Sequence, residues 1–251
     1  MGRNVHPTAI VSPRAEIADD VEVGPYAVID AGVRVGAGTR IAAHAVLTGR
    51  TTLGERNVVH PFAVVGGEPQ MKKPGVVVSG KGSLIIGDDN VIREHVTLNL
   101  SSGDEPTRVG SHNLLMTGCH VAHDVRVGSH CVIANGVQLD GHVVVEDWVT
   151  FGGASAVAQL LRIGEGAFVA GGAMVERDVP PFVIAQGDRA RVRALNVVGL
   201  ERRGVPAASV AALKKAFAAV FVRRSGSWAE AVAKLDRSDP FVAQLASALA
   251  P

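Results

Sequence analysis

Aromatic side chains are scarce in this chain of 251 residues: Phe, Tyr and Trp together make up 4%, with a single tyrosine. A core built around large rings is therefore excluded, and aliphatic side chains must fill the interior. Charge of one sign is lacking too. Lys and Arg number 25 against 24 Asp and Glu, for a net charge of +1. No broad field toward nucleic acid or a membrane surface follows from such a balance. No run of about twenty apolar residues is long enough to span a bilayer, and the first residues lack the apolar stretch of a signal peptide. His6 stands where a myristoylation signal after Gly2 needs Ser or Thr. A cytoplasmic protein is the expectation. Cysteine is limited to two residues, Cys119 and Cys131, which read as small buried apolar groups with free thiols, not as a disulfide or a metal pair.

What the chain does have is an apolar residue at every sixth position. One series runs Val5, Val11, Ile17, Val23, Ile29 and onward to Val65; the other runs Val109, Leu115, Val121, Val127, Ile133 and onward to Val175. A period of six fits neither a helix face nor simple strand alternation. It marks a solenoid of short strands joined by tight turns, the hexapeptide parallel β-helix. A second column, four residues after each marker, holds small or β-branched residues such as Ala9, Ala27, Ala45, Cys119, Cys131 and Ser155. Those positions face the same way as the next marker, so large and small residues alternate around a narrow core. Gly often follows the marker, as at Gly36, Gly54, Gly110 and Gly128, where a corner needs either φ freedom or close backbone approach. Three hexads make one triangular coil, and about ten coils at roughly 4.8 Å give a rod on the order of 45–50 Å long.

The register breaks twice, giving expected loops near 66–84 and 99–108. Long loops on a rigid scaffold carry function disproportionately. After Val179-Pro180-Pro181 the pattern turns helical, over 193–202, 207–222, 228–235 and 240–249, with Asp239 as an N-cap. The division is thus a β-helix domain over 1–181 and an α-helical domain over 182–251, the latter covering the open end of the solenoid, where bare strand edges would otherwise be exposed.

Nine histidines are scattered along the chain. Most, including His44, His95, His112, His130 and His142, fall three residues after a marker and point outward. His6 and His60 precede prolines and read as turn residues. His123 differs, lying two residues after its marker, within Cys119-His120-Val121-Ala122-His123-Asp124. Residues 18 apart lie on adjacent coils, so His123 lies over Gly141, Gly141 over Gln159, and Asp124 over His142. An imidazole in that setting can take a proton from a hydroxyl, and the Gly141 N–H can hold an oxyanion. Ordinary surface residues are the competing reading. Zinc held by histidines between subunits is another, although His120 and His123 face opposite sides of their strand.

The hexads, the segments CHVAHD and DGHVVVED, the run DVPPFVIAQGD and the segment LNVVGLERRG together resemble the UDP-N-acetylglucosamine O-acyltransferases that begin lipid A synthesis. The resemblance covers essentially the whole chain. It implies a mainly β protein, a left-handed parallel β-helix with a C-terminal α-helical domain, assembled as a homotrimer with active sites between subunits. It implies an acyl carrier protein whose phosphopantetheine thioester is the acyl donor, a nucleotide-sugar acceptor, and neither a resident cofactor nor a metal. The family's general base falls on His123, the acidic residue supporting it on Asp124, and the oxyanion donor on the backbone of Gly141. His120 and His142 match flanking histidines, Gln159 a residue near the carrier's arm, and Lys73 a substrate-binding lysine in the first loop. Asn196, Arg202 and Arg203 match nucleotide- and phosphate-binding positions. Gly171 matches the position that limits acyl length, and its missing side chain implies a long tail.

Departures concern the acceptor. Met71 replaces an Asp, Asn99 and Leu100 replace a His and an Arg, Ala158 replaces a His, and Val198 replaces an acidic residue. A lost Arg removes a bidentate donor. The base machinery is kept while acceptor recognition is altered. An acyltransferase for a different amino-sugar or non-UDP acceptor, a non-catalytic scaffold that binds nucleotide sugar or carrier, and a zinc-dependent hydratase are the rival readings.

Overall fold

A strand only two residues long cannot stand alone, so each hexad depends on its neighbours one coil away for every ladder hydrogen bond. In the computed structural model, which describes residues 4–71, 82–223 and 226–250, the hexads stack into three parallel sheets forming the faces of a triangular prism. Among the described residues the first face has eleven strands, from Asn4–Val5 to Arg191–Leu195; the second has nine, from Ile10–Val11 to Met174–Val175; the third has eight, from Glu16–Ile17 to Arg162–Ile163. Glu16 pairs with Arg34, and His120 with Gln138, which pairs in turn with Ala156. Partners 18 residues apart, as at Arg34 and Glu16, confirm the coil length. The two interruptions lengthen single coils to 33 and 23 residues without breaking the stack.

Every marker from Ile17 to Val175 that the sequence pattern places inward is buried, and Ile29, Leu47, Leu84, Leu115 and Phe151 are at most 1% exposed. Both cysteines are fully buried in the small column. Burial pushes the Cys119 and Cys131 thiols up to about 12, so neither forms a thiolate near neutral pH. Part of the small column is polar: Asn57, Asn90 and Asn113 form a buried ladder. The Asn90 Nδ2 donates to Asn57 Oδ1 at 3.0 Å, and Asn113 N–H donates to Asn90 Oδ1 at 2.9 Å.

Of the two explanations for the glycines after the markers, close approach is the one the structure uses. A Cβ on Gly36 would lie 2.6 Å from the Gly54 carbonyl, and one on Gly110 would lie 2.6 Å from that of Gly128. Neither glycine has a positive φ. The left-handed residue of each corner comes two positions later, and is often not glycine: Tyr26, His44, Phe62, His95, His112, Asp124, His130, His142 and Trp148 have φ between 56° and 63°. Rings at these corners stack on the next coil. Tyr26, His44, Phe62 and His95 form one column with centroids 5.0–5.2 Å apart, and His112, His130 and Trp148 form another. Stacking offsets part of the roughly 1–2 kcal/mol that a left-handed L-residue costs.

Three boundaries differ from expectation. Strands Val64–Gly67 and Ser83–Ile86 extend into the first expected loop, and Thr97–Asn99 and Thr107–Val109 into the second. The segment expected to begin a helix at 193 is instead the strand Arg191–Leu195, antiparallel to Val183–Gln186. Its polar–apolar alternation (Arg-Val-Arg-Ala-Leu) lets it cap the first face, so the β-structure runs past residue 181. Helices follow: α1 (Val197–Arg202), α2 (Ala207–Phe217) continued by a π-turn Ala218–Val222, α3 (Trp228–Ala233) and α4 (Pro240–Leu249). Asp239 caps α4, its carboxylate accepting from Phe241 and Val242 N–H. Leu200, Leu213, Val220 and Leu245 pack with Phe182 and Leu195 from the last coil into a second core.

Candidate active site

The strand His120–Val121 lies on the second face. His120 points outward from it, its Nδ1 2.7 Å from Thr97 Oγ1 on the preceding coil. Burial pulls its pKa below the ordinary histidine value, against the pull of the Asp140 charge, so His120 is neutral at pH 7. Two residues past Val121 the chain turns toward the third face, and His123 and Asp124 occupy that corner. Asp124 takes the left-handed conformation, φ 62°, which Asp tolerates better than most residues.

Asp124 is held from several sides. Its N–H donates to Thr107 Oγ1 at 2.8 Å. Its Oδ2 accepts from the Ser102 hydroxyl at 2.6 Å, and its Oδ1 from the Ser102 N–H at 3.1 Å. His123 Nδ1 lies 2.7 Å from the same Oδ2, and His142 Nε2 lies 3.5 Å from it. Burial alone would raise the Asp124 carboxyl, but the Ser102 hydroxyl and the His123 imidazole outweigh it and hold it below the usual carboxylate value. The carboxylate is therefore ionised, and His123 Nδ1 carries the proton it binds. In the neutral form of the ring, that assignment puts the free lone pair on Nε2.

The imidazole of His123 lies against Gly141. A Cβ on Gly141 would be 2.6 Å from His123 Cε1 and 2.9 Å from Nε2. The main-chain bond from His142 N–H to the His123 carbonyl, 3.1 Å, locks the two rungs together. Position 141 belongs to a class whose N–H the ladder does not use. Pro7, Pro13, Pro25 and Pro61 stand two residues after their markers, where a missing N–H costs nothing. At other corners a side chain one rung on takes up this N–H: Ser111 N–H donates to Ser129 Oγ, and Ser129 N–H to Asp147 Oδ1. Among the described residues none accepts from Gly141 N–H. A spare amide donor thus sits next to an imidazole with a spare lone pair. Gln159, on the rung beyond, is exposed.

The remaining expected residues lie elsewhere on the chain. Asn196, Arg202 and Arg203 line a cavity of about 550 Å³ on the first face, with Trp148, Phe168 and Val198. Asn196 is committed there: its Oδ1 caps α1 by accepting from Gly199 N–H at 3.1 Å, and its Nδ2 donates to the Gly166 carbonyl at 2.9 Å. Arg203 pairs with Glu165, lies 5.3 Å over the Trp148 ring, and keeps a buried Nη1 without a partner among the described residues. Gly171 stands at the corner between the first and second faces, where an added Cβ would come 3.3 Å from the Gly153 carbonyl. Lys73 falls outside the described residues. A single chain therefore carries the imidazole and the Arg203 cavity on different sides of the prism. Of the departures, Leu100 packs inward, its Cδ1 2.6 Å from where a Cβ on Gly49 would be, and Asn99 is buried with an Oδ1 that has no partner among the described residues. Ser102 and Thr107 went unnoticed in the sequence, because they flank an interruption where the period gives no register.

A metal would find His123, Asp124 and His142, whose ligand atoms lie within 4.8 Å of one another. The Asp124 oxygen in that set is already bonded to His123 and Ser102.

Comparison with known proteins identifies the arrangement. The second domain of UDP-N-acetylglucosamine O-acyltransferase matches residues 178–250, and bacterial transferase hexapeptide repeats match residues 14–49 and 106–141. An acyl-[acyl-carrier-protein]–UDP-N-acetylglucosamine O-acyltransferase of Myxococcus xanthus is 49% identical over 220 residues, 86% of this chain and 84% of the relative. The UDP-N-acetylglucosamine O-acyltransferase of Moraxella catarrhalis superposes with a TM-score of 0.91 at 34% identity, covering 98% of this chain and 96% of that one. That of Campylobacter jejuni gives 0.89 at 32%, covering 97% and 94%. Agreement over nearly the full length fixes the hand of the prism as a left-handed parallel β-helix. With its hexads and its C-terminal helices matched by the same relatives over most of their length, the chain belongs to the UDP-N-acetylglucosamine O-acyltransferase family.

Proposed function

We propose that this protein transfers a fatty acyl group from an acyl carrier protein thioester to a hydroxyl of UDP-N-acetylglucosamine, the first step of lipid A synthesis. The observation that carries the reading is the His123 imidazole, gripped at Nδ1 by Asp124 and lying against the side-chain-free amide of Gly141. Nε2 takes the proton of the sugar hydroxyl as its oxygen attacks the thioester carbonyl carbon. Charge moves onto the carbonyl oxygen, where the Gly141 N–H meets it. Collapse re-forms the carbonyl, breaks the carbon–sulfur bond, and the imidazolium returns the proton to the departing thiolate. Transfer is direct, since both thiols are sealed in the core. No resident cofactor is required, because the donor brings its own phosphopantetheine arm. The acceptor's nucleotide end is assigned to the Arg203 cavity, and the acyl tail runs past Gly171. Replacement of His123 by Ala is expected to lower turnover by roughly 10²–10⁴ with the fold intact; unchanged turnover of purified His123→Ala overturns the assignment.

The same reading includes a homotrimer and a cytoplasmic setting. Outward residues of the third face are mostly charged (Glu16, Arg34, Arg108, Arg126 and Arg162, with Thr52, Ile85 and Val144 between them). Those of the first face include Val58, Val91, Leu114, Val132 and Phe168, and those of the second Val28, Val46, Val64, Ala156 and Met174. Two adjacent apolar faces on a triangular prism suit a head-to-tail contact, first face on second, which closes after three copies. Such packing brings a neighbour's Arg203 cavity toward the His120 side of each active corner. Lys214, Lys215, Arg223 and Lys234 line a basic groove among the helices, suited to an acidic carrier.

A further inference from the structure

We propose that Ser102 is a positioning residue of the catalytic corner: its hydroxyl and its N–H together clamp the Asp124 carboxylate in the orientation that grips His123. The inference rests on the reading of His123 as general base. Ser102 makes three contacts with that carboxylate, its hydroxyl to Oδ2 at 2.6 Å and its N–H to Oδ1 and Oδ2 at 3.1 and 3.3 Å. All come from the coil before Asp124, across 22 residues of chain. The oxygen that takes the hydroxyl is the one that takes His123 Nδ1. Ser102 thereby competes with the imidazole for the same negative charge while fixing the direction from which the imidazole must approach.

The clamp is itself anchored, although Ser102 is exposed on the single protomer. Leu100 fills the gap over Gly49, and its N–H donates to the Gly67 carbonyl at 2.8 Å. Ser101 is fully buried and bonds Ser83 in both directions, its N–H to the Ser83 carbonyl at 3.1 Å and its Oγ accepting from Ser83 N–H at 3.0 Å. Ser101 Oγ also closes the turn onto the Gly103 carbonyl at 3.1 Å. On the other flank, Thr107 fixes the Asp124 main chain at 2.8 Å. The second interruption of the repeat is thus pinned at Leu100, Ser101 and Thr107, with Ser102 as the residue that reaches the reacting corner. Without the hydroxyl, Asp124 Oδ2 has one donor fewer and holds a protonated His123 more strongly.

Three variants of the full-length protein test this: Ser102→Ala, Ser102→Thr and His123→Ala, each followed by kcat, by KM for both substrates and by the pH profile of kcat/KM, with thermal unfolding as a check on folding. Removing one hydrogen bond to a charged group is expected to lower kcat in Ser102→Ala about tenfold. Both KM values stay at the wild-type level, and the acid limb of kcat/KM moves to higher pH. Ser102→Thr, which keeps the hydroxyl, restores kcat and the limb. A Ser102→Ala protein with wild-type kcat and an unmoved acid limb overturns the proposal, as does a Thr variant impaired as much as the Ala one. If His123→Ala is inactive in either case, the base assignment survives and Ser102 alone is refuted; an active His123→Ala protein refutes the base itself.

Discussion

At the scale of single residues, the active corner depends on what is missing as much as on what is present. Gly141 has no Cβ, and the space it leaves is where the His123 ring lies. Replacement by Ala puts a carbon 2.6 Å from Cε1. The backbone there has no positive φ to forbid Ala, and the ring is the softer partner, so the ring moves and the fold stays. A displacement of about 1 Å at the base is enough for a 10²-fold loss. Gly141→Ala is therefore expected to unfold at the wild-type temperature while kcat falls by about that factor, measured by calorimetry and steady-state kinetics on one preparation. Arithmetic on the sequence was sufficient to put His123 over Gly141 and Asp124 over His142, because both pairs obey the coil length. It was not sufficient for Ser102, whose position depends on a loop with no period, nor for the capping duty of Asn196, which only the turn into α1 reveals.

At the scale of elements, the prism is a set of columns, and a polar column is the most exposed to damage. Asn90 links Asn57 Oδ1, the Gly110 carbonyl and Asn113 N–H in the buried ladder. Asn90→Ala leaves the Gly110 carbonyl and the Asn113 N–H without that partner in a site that excludes water, while Asn57 Oδ1 keeps the Asn90 N–H at 3.0 Å. The expected cost is about 3 kcal/mol, read as a lowered denaturant midpoint with an unchanged slope. The strands themselves were legible, since a period of six repeated through two series admits little else. The strand Arg191–Leu195 was not: five alternating residues followed directly by helix formers read as the start of a helix, and only the open edge of the first face explains why they pair instead. The interruptions looked longer than they are for a related reason. Gly66, Gly67 and Ser83 carry no strand signal of their own and are recruited by neighbours already in register.

At the scale of the whole molecule, the placement of His123 and Arg203 on different sides of one prism has a consequence for mixtures. If each site takes its imidazole from one protomer and its Arg203 cavity from the next, inactive His123→Ala and Arg203→Ala chains rescue each other. Refolding or co-expressing the two in equal amounts is expected to regenerate about a quarter of wild-type sites by random assembly in a closed ring. Activity no greater than the sum of the separate variants contradicts a shared site. Docking of an acidic carrier on Lys214, Lys215 and Arg223 predicts in turn that its apparent KM rises with ionic strength, while that of the nucleotide sugar changes less.

The eighteen-residue coil, seen in pairs such as Arg34 and Glu16, also dictates how such a gene can change length. Whole turns can be duplicated or deleted toward the N-terminal tip, altering how tall the molecule stands while every later residue keeps its face. A single codon gained or lost between His123 and Gly141 must instead be absorbed at one corner, as the 33- and 23-residue coils absorb their extra residues, or it rotates every later side chain around the prism.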